Sequence, residues 1–263
     1  MATAKLILFD LDGTLYFDGV LYPGVPELIQ RLWESPKLEY CFLTNNSSIG
    51  PGDYYQKLQR LGLPLDPRNV ASSCEATALM LKSLGVGPEI YILGTKKFRD
   101  YMESQGFIHT FQGAKALLLG FDQELDYKKL TEATQLVLQD YPVYASHPDP
   151  VCPGPVPLPD IGMLIAYFRA AKPGFVLRGI AGKPHKWIMR LVSERFGVKP
   201  EEMVMVGDRV GTDMQFAANF GMRSMLALNG VPMPALGDIR PTVVVERIDQ
   251  MNHELWPEAL GWC

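Results

Sequence analysis

Apolar runs of strand length alternate with amphipathic runs of helix length almost from the first residue of this 263-residue chain. Strands are expected at 4–10, 38–43 and near 69–71, with helices at 24–35, 52–61 and 74–84 between and after them. Pro23 and Gly24 open the first helix, while Gly62 and Gly85 close the next two. Strand and helix lengths in this order demand a parallel sheet, because parallel neighbours need a crossover and the crossover is right-handed. The first strand, Leu6-Ile7-Leu8-Phe9, runs directly into Asp10-Leu11-Asp12-Gly13-Thr14. Residues two apart on a strand share a side, so Asp10 and Asp12 leave its C-terminal end close together. Two such carboxylates repel, and the site expects a divalent cation, a shared proton, or both. Gly13 permits a sharp turn and Thr14 favours one.

From about residue 86 a second series begins, with strands at 90–93, 116–121 and 143–145 and helices at 95–104, 126–139 and 160–170. A Pro-rich loop (Pro148 to Pro159) precedes the last of these helices. Helix 184–196 and strands 203–207, 224–228 and 243–245 then complete the first sheet. The segment 11–22 is too long for a tight turn and suits a small hairpin flap. The expected architecture is α/β, with a Rossmann-like parallel-sheet core at 1–85 and 179–263 and an inserted α/β domain at 86–178.

Composition narrows the partners. Net charge is −4 and no run of Lys and Arg is present, which argues against a nucleic-acid polymer. No apolar run reaches about 18 residues, so neither a membrane span nor a signal peptide is evident. Cys41, Cys74, Cys152 and Cys263 lack C-x-x-C spacing and read as reduced thiols of a cytoplasmic protein.

Three further motifs follow Asp10-Leu11-Asp12-Gly13-Thr14 in order. Leu38 to Leu43 ends in Thr44-Asn45-Asn46-Ser47-Ser48, Lys183 precedes a helical pattern in Gly182-Lys183-Pro184, and Met203 to Val206 ends in Gly207-Asp208-Arg209-Val210-Gly211-Thr212-Asp213. Together the four resemble the haloacid dehalogenase (HAD) superfamily. An α/β insertion between the second and third motifs, with Thr-Asn-Asn in the second, looks most like the C2a-capped group of NagD and the p-nitrophenyl phosphatases. In an open parallel sheet, ligands bind beyond the C-terminal strand ends, where Asp10, Asp12, Thr44 and Asp208 are expected.

The resemblance implies a Mg²⁺-dependent phosphatase acting on small organic phosphate monoesters. It assigns the metal to the Asp10 carboxylate, the Asp12 backbone carbonyl and Asp208, and makes Asp10 the nucleophile of an aspartyl-phosphate. Asp12 would protonate the leaving alkoxide and then activate water. Thr44 and the amides around Asn45 and Asn46 would hold phosphate oxygens, and Lys183 would pair with Asp10 and the phosphate. Asp213 would support the loop, Lys183 or metal-bound water rather than bind the metal directly. His147 and Asp149 lie where the resembling group places substrate-facing residues. Asp12 speaks against a dehalogenase, since such members lack this second Asp, and a mutase generally carries its cap after the first motif.

Alternatives stay open at this level. Asp208 could cap the helix that follows it, Asn45 and Asn46 could only shape a turn, and Ser146-His147-Pro148-Asp149 could be a Pro-stabilised turn. The enzyme could be narrow for one metabolite, a nucleotide, a sugar phosphate or pyridoxal phosphate, or the chain could be a non-catalytic phospho-ligand-binding module. A homodimer through the inserted domain is compatible with the resemblance.

Overall fold

A computed structural model describes residues 3–252. The described residues divide into two compact units, one of 3–44, 52–71 and 192–252, the other of 45–51 and 72–191.

The first unit is built on a six-stranded sheet in the order β15-β14-β13-β1-β4-β5. Its strands are β1 (Leu6–Phe9), β4 (Glu39–Thr44), β5 (Val70–Ser72), β13 (Met203–Gly207), β14 (Arg223–Ala227) and β15 (Val243–Val245). β1 sits in the middle, parallel to β13 through Leu6↔Met203 to Phe9↔Val206 and to β4 through Leu6↔Glu39 to Phe9↔Phe42. All four β1 residues are buried, which explains why a parallel central strand reads as an unbroken apolar run rather than an alternation. Helix α1 (Val25–Glu34) buries Val25, Leu28, Ile29 and Leu32, one stripe at three- and four-residue spacing. Burying each of these side chains contributes roughly 1.5–3 kcal/mol. Helix α2 (Pro51–Arg60) turns Tyr54 and Leu58 inward. The flap expected in 11–22 is present as a hairpin, β2 (Tyr16–Phe17) against β3 (Val20–Leu21).

After β13 the chain makes one π-helical turn (Val210–Met214) before helix α8 (Gln215–Phe220), which ends at Gly221. Arg209 occupies the position before that turn, with no side-chain cap. Asp208 is therefore not the helix cap that the sequence allowed.

The second unit carries a five-stranded parallel sheet, β12-β9-β8-β6-β7. It comprises β6 (Glu89–Leu93), β7 (Ile108–His109), β8 (Leu117–Leu119), β9 (Val143–Ala145) and β12 (Gly179–Ile180). Helices α3 (Ser73–Ser83), α4 (Lys96–Ser104), α5 (Tyr127–Leu138), α6 (Ile161–Ala171) and α7 (Lys186–Phe196) accompany it, α7 ending beyond the unit's last residue. Ser72 and Glu75 form a reciprocal capping box at the start of α3. Tyr91, Leu93, Leu117, Leu119, Ile165 and Phe168 belong to its buried core.

The expected division at 86 and 179 falls inside this unit. Gly179 and Ile180 pair with Tyr144 and Ala145 of β9, and α3 packs against α4, so both flanks of the expected insertion are drawn into the second unit. Within the Pro-rich stretch a two-residue antiparallel pair forms, β10 (Val151–Cys152) with β11 (Leu158–Pro159), which the run of prolines had masked as loop. Cys41, Cys74 and Cys152 form no disulfide, and Cys263 lies outside the described residues. No described helix is long and apolar enough to cross a membrane.

Candidate active site

Strand β1 delivers Asp10 to the C-terminal edge of the first unit's sheet, where its amide donates to the Val206 carbonyl at 2.9 Å. Gly13 makes the turn at φ 92°, and its amide donates to the Tyr16 carbonyl at 2.9 Å. A Cβ on Gly13 would lie 2.5 Å from Oδ2 of Asp208, so only glycine allows the two acidic turns to approach this closely. The Thr14 hydroxyl donates to Oδ1 of Asp208 at 2.8 Å. Asn229, itself at φ 51°, donates from its amide nitrogen to the carbonyls of Gly13 and Thr14 at 2.8 and 3.0 Å.

Asp10, Asp208 and Asp213 each place a carboxylate oxygen within 4.8 Å of the others. Asp213, fully buried, accepts at Oδ2 from the Arg209 amide at 3.1 Å. It packs so closely on Gly207 that a Cβ there would lie 2.4 Å from its side chain. The sequence reading gave Asp213 a supporting role; the structure brings its carboxylate into the acidic group itself. Burial raises the Asp208 carboxyl to about 8, with the charges of Asp10 and Asp213 adding to the rise while Arg209 and the Thr14 hydrogen bond oppose it. Three oxygen donors held this close, one of them pushed far from its ordinary range, fit a hard divalent cation that would relieve their repulsion.

Asp12 stands beside this group. Burial raises its carboxyl above the ordinary range; Lys57 opposes that, Asp10 reinforces it, and the Tyr16 hydroxyl again opposes it. Burial and the neighbouring Asp12 also push the Tyr16 phenol well above its ordinary value, so that it stays protonated. Thr44, buried, ends the neighbouring strand β4.

The remaining expected residues lie in the second unit, where Asn45 is bonded to both Lys183 and Asp149. The Asn45 side-chain oxygen accepts from the Lys183 amide at 2.8 Å, and its nitrogen donates to the Lys183 carbonyl at 3.0 Å and to Oδ2 of Asp149 at 2.9 Å. Lys183 is fully buried. Gly182 is held to glycine because a Cβ would lie 2.5 Å from that same Asn45 oxygen. Asn46 accepts from the Ser48 amide and hydroxyl at 2.9 and 2.7 Å, closing a side-chain turn. His147 is fully buried, with Nδ1 3.0 Å from the Ser146 hydroxyl and Nε2 3.0 Å from Oδ1 of Asp160. Asp160 in turn accepts from the Ile161 amide at the start of α6. Thus Asn45, Asn46 and His147 spend their side chains on scaffold bonds.

Sequence reasoning missed Asn229, Asp160 and Lys57. Asp160 before an amphipathic run is a legible helix cap, whereas nothing local marks Asn229 or Lys57.

Residues 7–108 match the family described as haloacid dehalogenase-like hydrolase, and residues 180–251 the one described as HAD-hydrolase-like. A dihydroxyacetone phosphatase from Corynebacterium glutamicum is 29% identical over 97% of this chain and 92% of its own length. A glycerol-3-phosphate phosphatase from Gallus gallus is 31% identical over 88% of this chain and 81% of its own. Among solved structures, a 4-nitrophenylphosphatase from Thermotoga maritima is 36% identical, with a TM-score of 0.87 over 94% of this chain and 96% of that one.

Proposed function

As a member of the haloacid dehalogenase-like hydrolases of the NagD and p-nitrophenyl phosphatase type, the chain is a phosphatase, and we propose that it uses Mg²⁺ and an aspartyl-phosphate on Asp10 to hydrolyse small organic phosphate monoesters. The observation that carries this reading is the acidic group of Asp10, Asp208 and Asp213 with Asp12 beside it on the same turn. Asp10, Asp208 and the Asp12 carbonyl would hold the cation, with Asp213 at its border. When bound, the ion supplies positive charge against the phosphoryl oxygens.

The protein's own groups do the rest. An Asp10 oxygen forms a bond to phosphorus as the bond from phosphorus to the leaving oxygen breaks. The Asp12 carboxyl gives its proton to that oxygen, releasing an alcohol. The Asp12 carboxylate then takes a proton from water as the water oxygen attacks phosphorus, releasing inorganic phosphate and restoring Asp10. Such proton transfers contribute about 10²–10⁴ in rate, and burial, which raises the Asp12 carboxyl, favours its proton-carrying form. Thr44 and the amides near Asn45 and Asn46 are assigned to phosphate oxygens, and Lys183 to phosphate charge, on the order of the motifs along the chain.

For substrates, the relatives' names favour three-carbon phosphates such as dihydroxyacetone phosphate and glycerol 3-phosphate. A nucleotide, a sugar phosphate and pyridoxal phosphate are the narrower alternatives. Release of inorganic phosphate from this panel, with Mg²⁺ and with EDTA, tests the reading. Metal-dependent release that disappears in Asp10→Asn is the expected outcome. Release that survives that substitution overturns the nucleophile assignment.

A further inference from the structure

The Asp12 carboxyl group is gripped from one side by two residues that no step above uses. The Tyr16 hydroxyl donates to Oδ2 of Asp12 at 3.3 Å, and Lys57 Nζ donates to the Tyr16 hydroxyl oxygen at 2.9 Å. Lys57 Nζ stands 4.0 Å from Oδ1 of Asp12, too far for a direct hydrogen bond. The ammonium also lies 4.1 Å from the centroid of the Tyr16 ring, a cation–π placement that holds the two side chains together. Tyr16 itself has no exposed surface, and Tyr54 and Leu58, buried on the same helix, fix the face from which Lys57 extends.

The direction of the chain of donors matters. A lysine ammonium only donates, so the phenol oxygen accepts from Lys57 and its single hydrogen is turned toward Asp12. That bond fixes rotation of the carboxyl group and occupies Oδ2, leaving Oδ1 for the proton exchanged with the leaving group. We propose that Lys57, acting through the Tyr16 hydroxyl, is a positioning residue for Asp12 that keeps Oδ1 aimed at the leaving oxygen. This rests on the phosphatase reading and on Asp12 as its proton donor.

Positioning of a proton donor has a signature that loss of folding or of substrate affinity lacks. A p-nitrophenolate leaves without help, whereas an alkoxide needs its proton. The test compares kcat/KM for p-nitrophenyl phosphate with that for the alkyl phosphate the unaltered enzyme hydrolyses fastest, in Lys57→Met, Lys57→Arg, Tyr16→Phe and Asp12→Asn. We expect Lys57→Met to lower the alkyl value about 10- to 100-fold, part of what a general acid contributes, and the aryl value less than about 3-fold. Lys57→Arg should recover most of the alkyl rate. Tyr16→Phe, which keeps the ring packing, should show the same split even if Lys57→Met fails to fold, and Asp12→Asn should set its upper limit. Equal losses on both substrates, or no loss on either, overturn the inference while leaving the phosphatase reading standing. Absence of phosphate release from every ester by the unaltered enzyme, or release surviving in Asp10→Asn, strikes that reading first.

Discussion

Thr14 donates its hydroxyl hydrogen to Oδ1 of Asp208 across 2.8 Å, although the two are 194 residues apart. The bond joins the turn after β1 to the turn after β13, whose strands are parallel neighbours. It stabilises the charged form of Asp208 against burial and two like charges. Thr14→Val keeps the shape and removes the donor. Orienting partners of metal-binding groups are worth about 10- to 100-fold in affinity, and we expect a loss in that range for Mg²⁺, read by calorimetric titration. Thr14→Ser should restore it.

Gly13→Ala should be more damaging than its size suggests. The residue sits at φ 92°, and the added carbon would meet Asp208 Oδ2 at 2.5 Å. Strain of this kind costs about 1–3 kcal/mol, and for a chain of this length about 2–4 °C of Tm accompanies each kcal/mol. Thermal unfolding should show a fall of about 2–12 °C, together with lost phosphatase activity.

Without metal, stability should decline as pH rises. The Asp208 carboxyl is raised from 3.8 to about 8, so the folded protein holds a proton that the unfolded chain has released. The contribution is complete below about 4 and is lost as pH rises through about 8. Urea unfolding in EDTA between pH 5 and 9 should show that slope, and Asp208→Asn should flatten it. A slope of the opposite sign would refute the assignment.

Asn45 makes three bonds at once, two to the Lys183 backbone and one to Asp149. Stranding buried partners costs about 1–3 kcal/mol each, and Asn45→Ala should lower unfolding free energy by about 3 kcal/mol in denaturant titration. Asn45→Asp should be worse at neutral pH, because it sets a second carboxylate against Asp149 and another oxygen against the Lys183 carbonyl.

His147→Ala separates a scaffold role from a substrate-facing one. With both ring nitrogens engaged by Ser146 and Asp160 and no exposed surface, the substitution should cost about 2–4 kcal/mol of stability. The ranking of substrates in phosphate-release assays should be unchanged; a reordering would show that the imidazole meets substrate.

Most of the secondary structure was legible because its signals are short-range. Leu6 to Phe9 is apolar without a break, Val25, Leu28, Ile29 and Leu32 recur at helical spacing, and Gly62 and Gly85 end helices by tolerating positive φ. The acidic turn was equally plain, since Asp10, Asp12 and Gly13 owe their placement to one strand end. Elements of two residues were not legible. β10 and β11 pair across prolines, and β12 is defined by its partner β9 rather than by any pattern of its own.

By itself, then, the sequence determined the α/β alternation, the order of the four motifs and the chemical character of the site, because each is written in contiguous residues. The tertiary structure alone decided how individual side chains are spent. Asp213 joins Asp10 and Asp208, Asn45 holds Lys183 and Asp149, and Lys57 reaches Asp12 through Tyr16. These assignments depend on sheet register and helix packing, which bring together groups far apart in the chain, such as Lys57 and Tyr16, 41 residues apart, and Asn45 and Lys183, 138 apart. A hydrogen-bonding side chain has several possible partners along the chain, and only the folded geometry, with burial penalising any group left without one, selects among them.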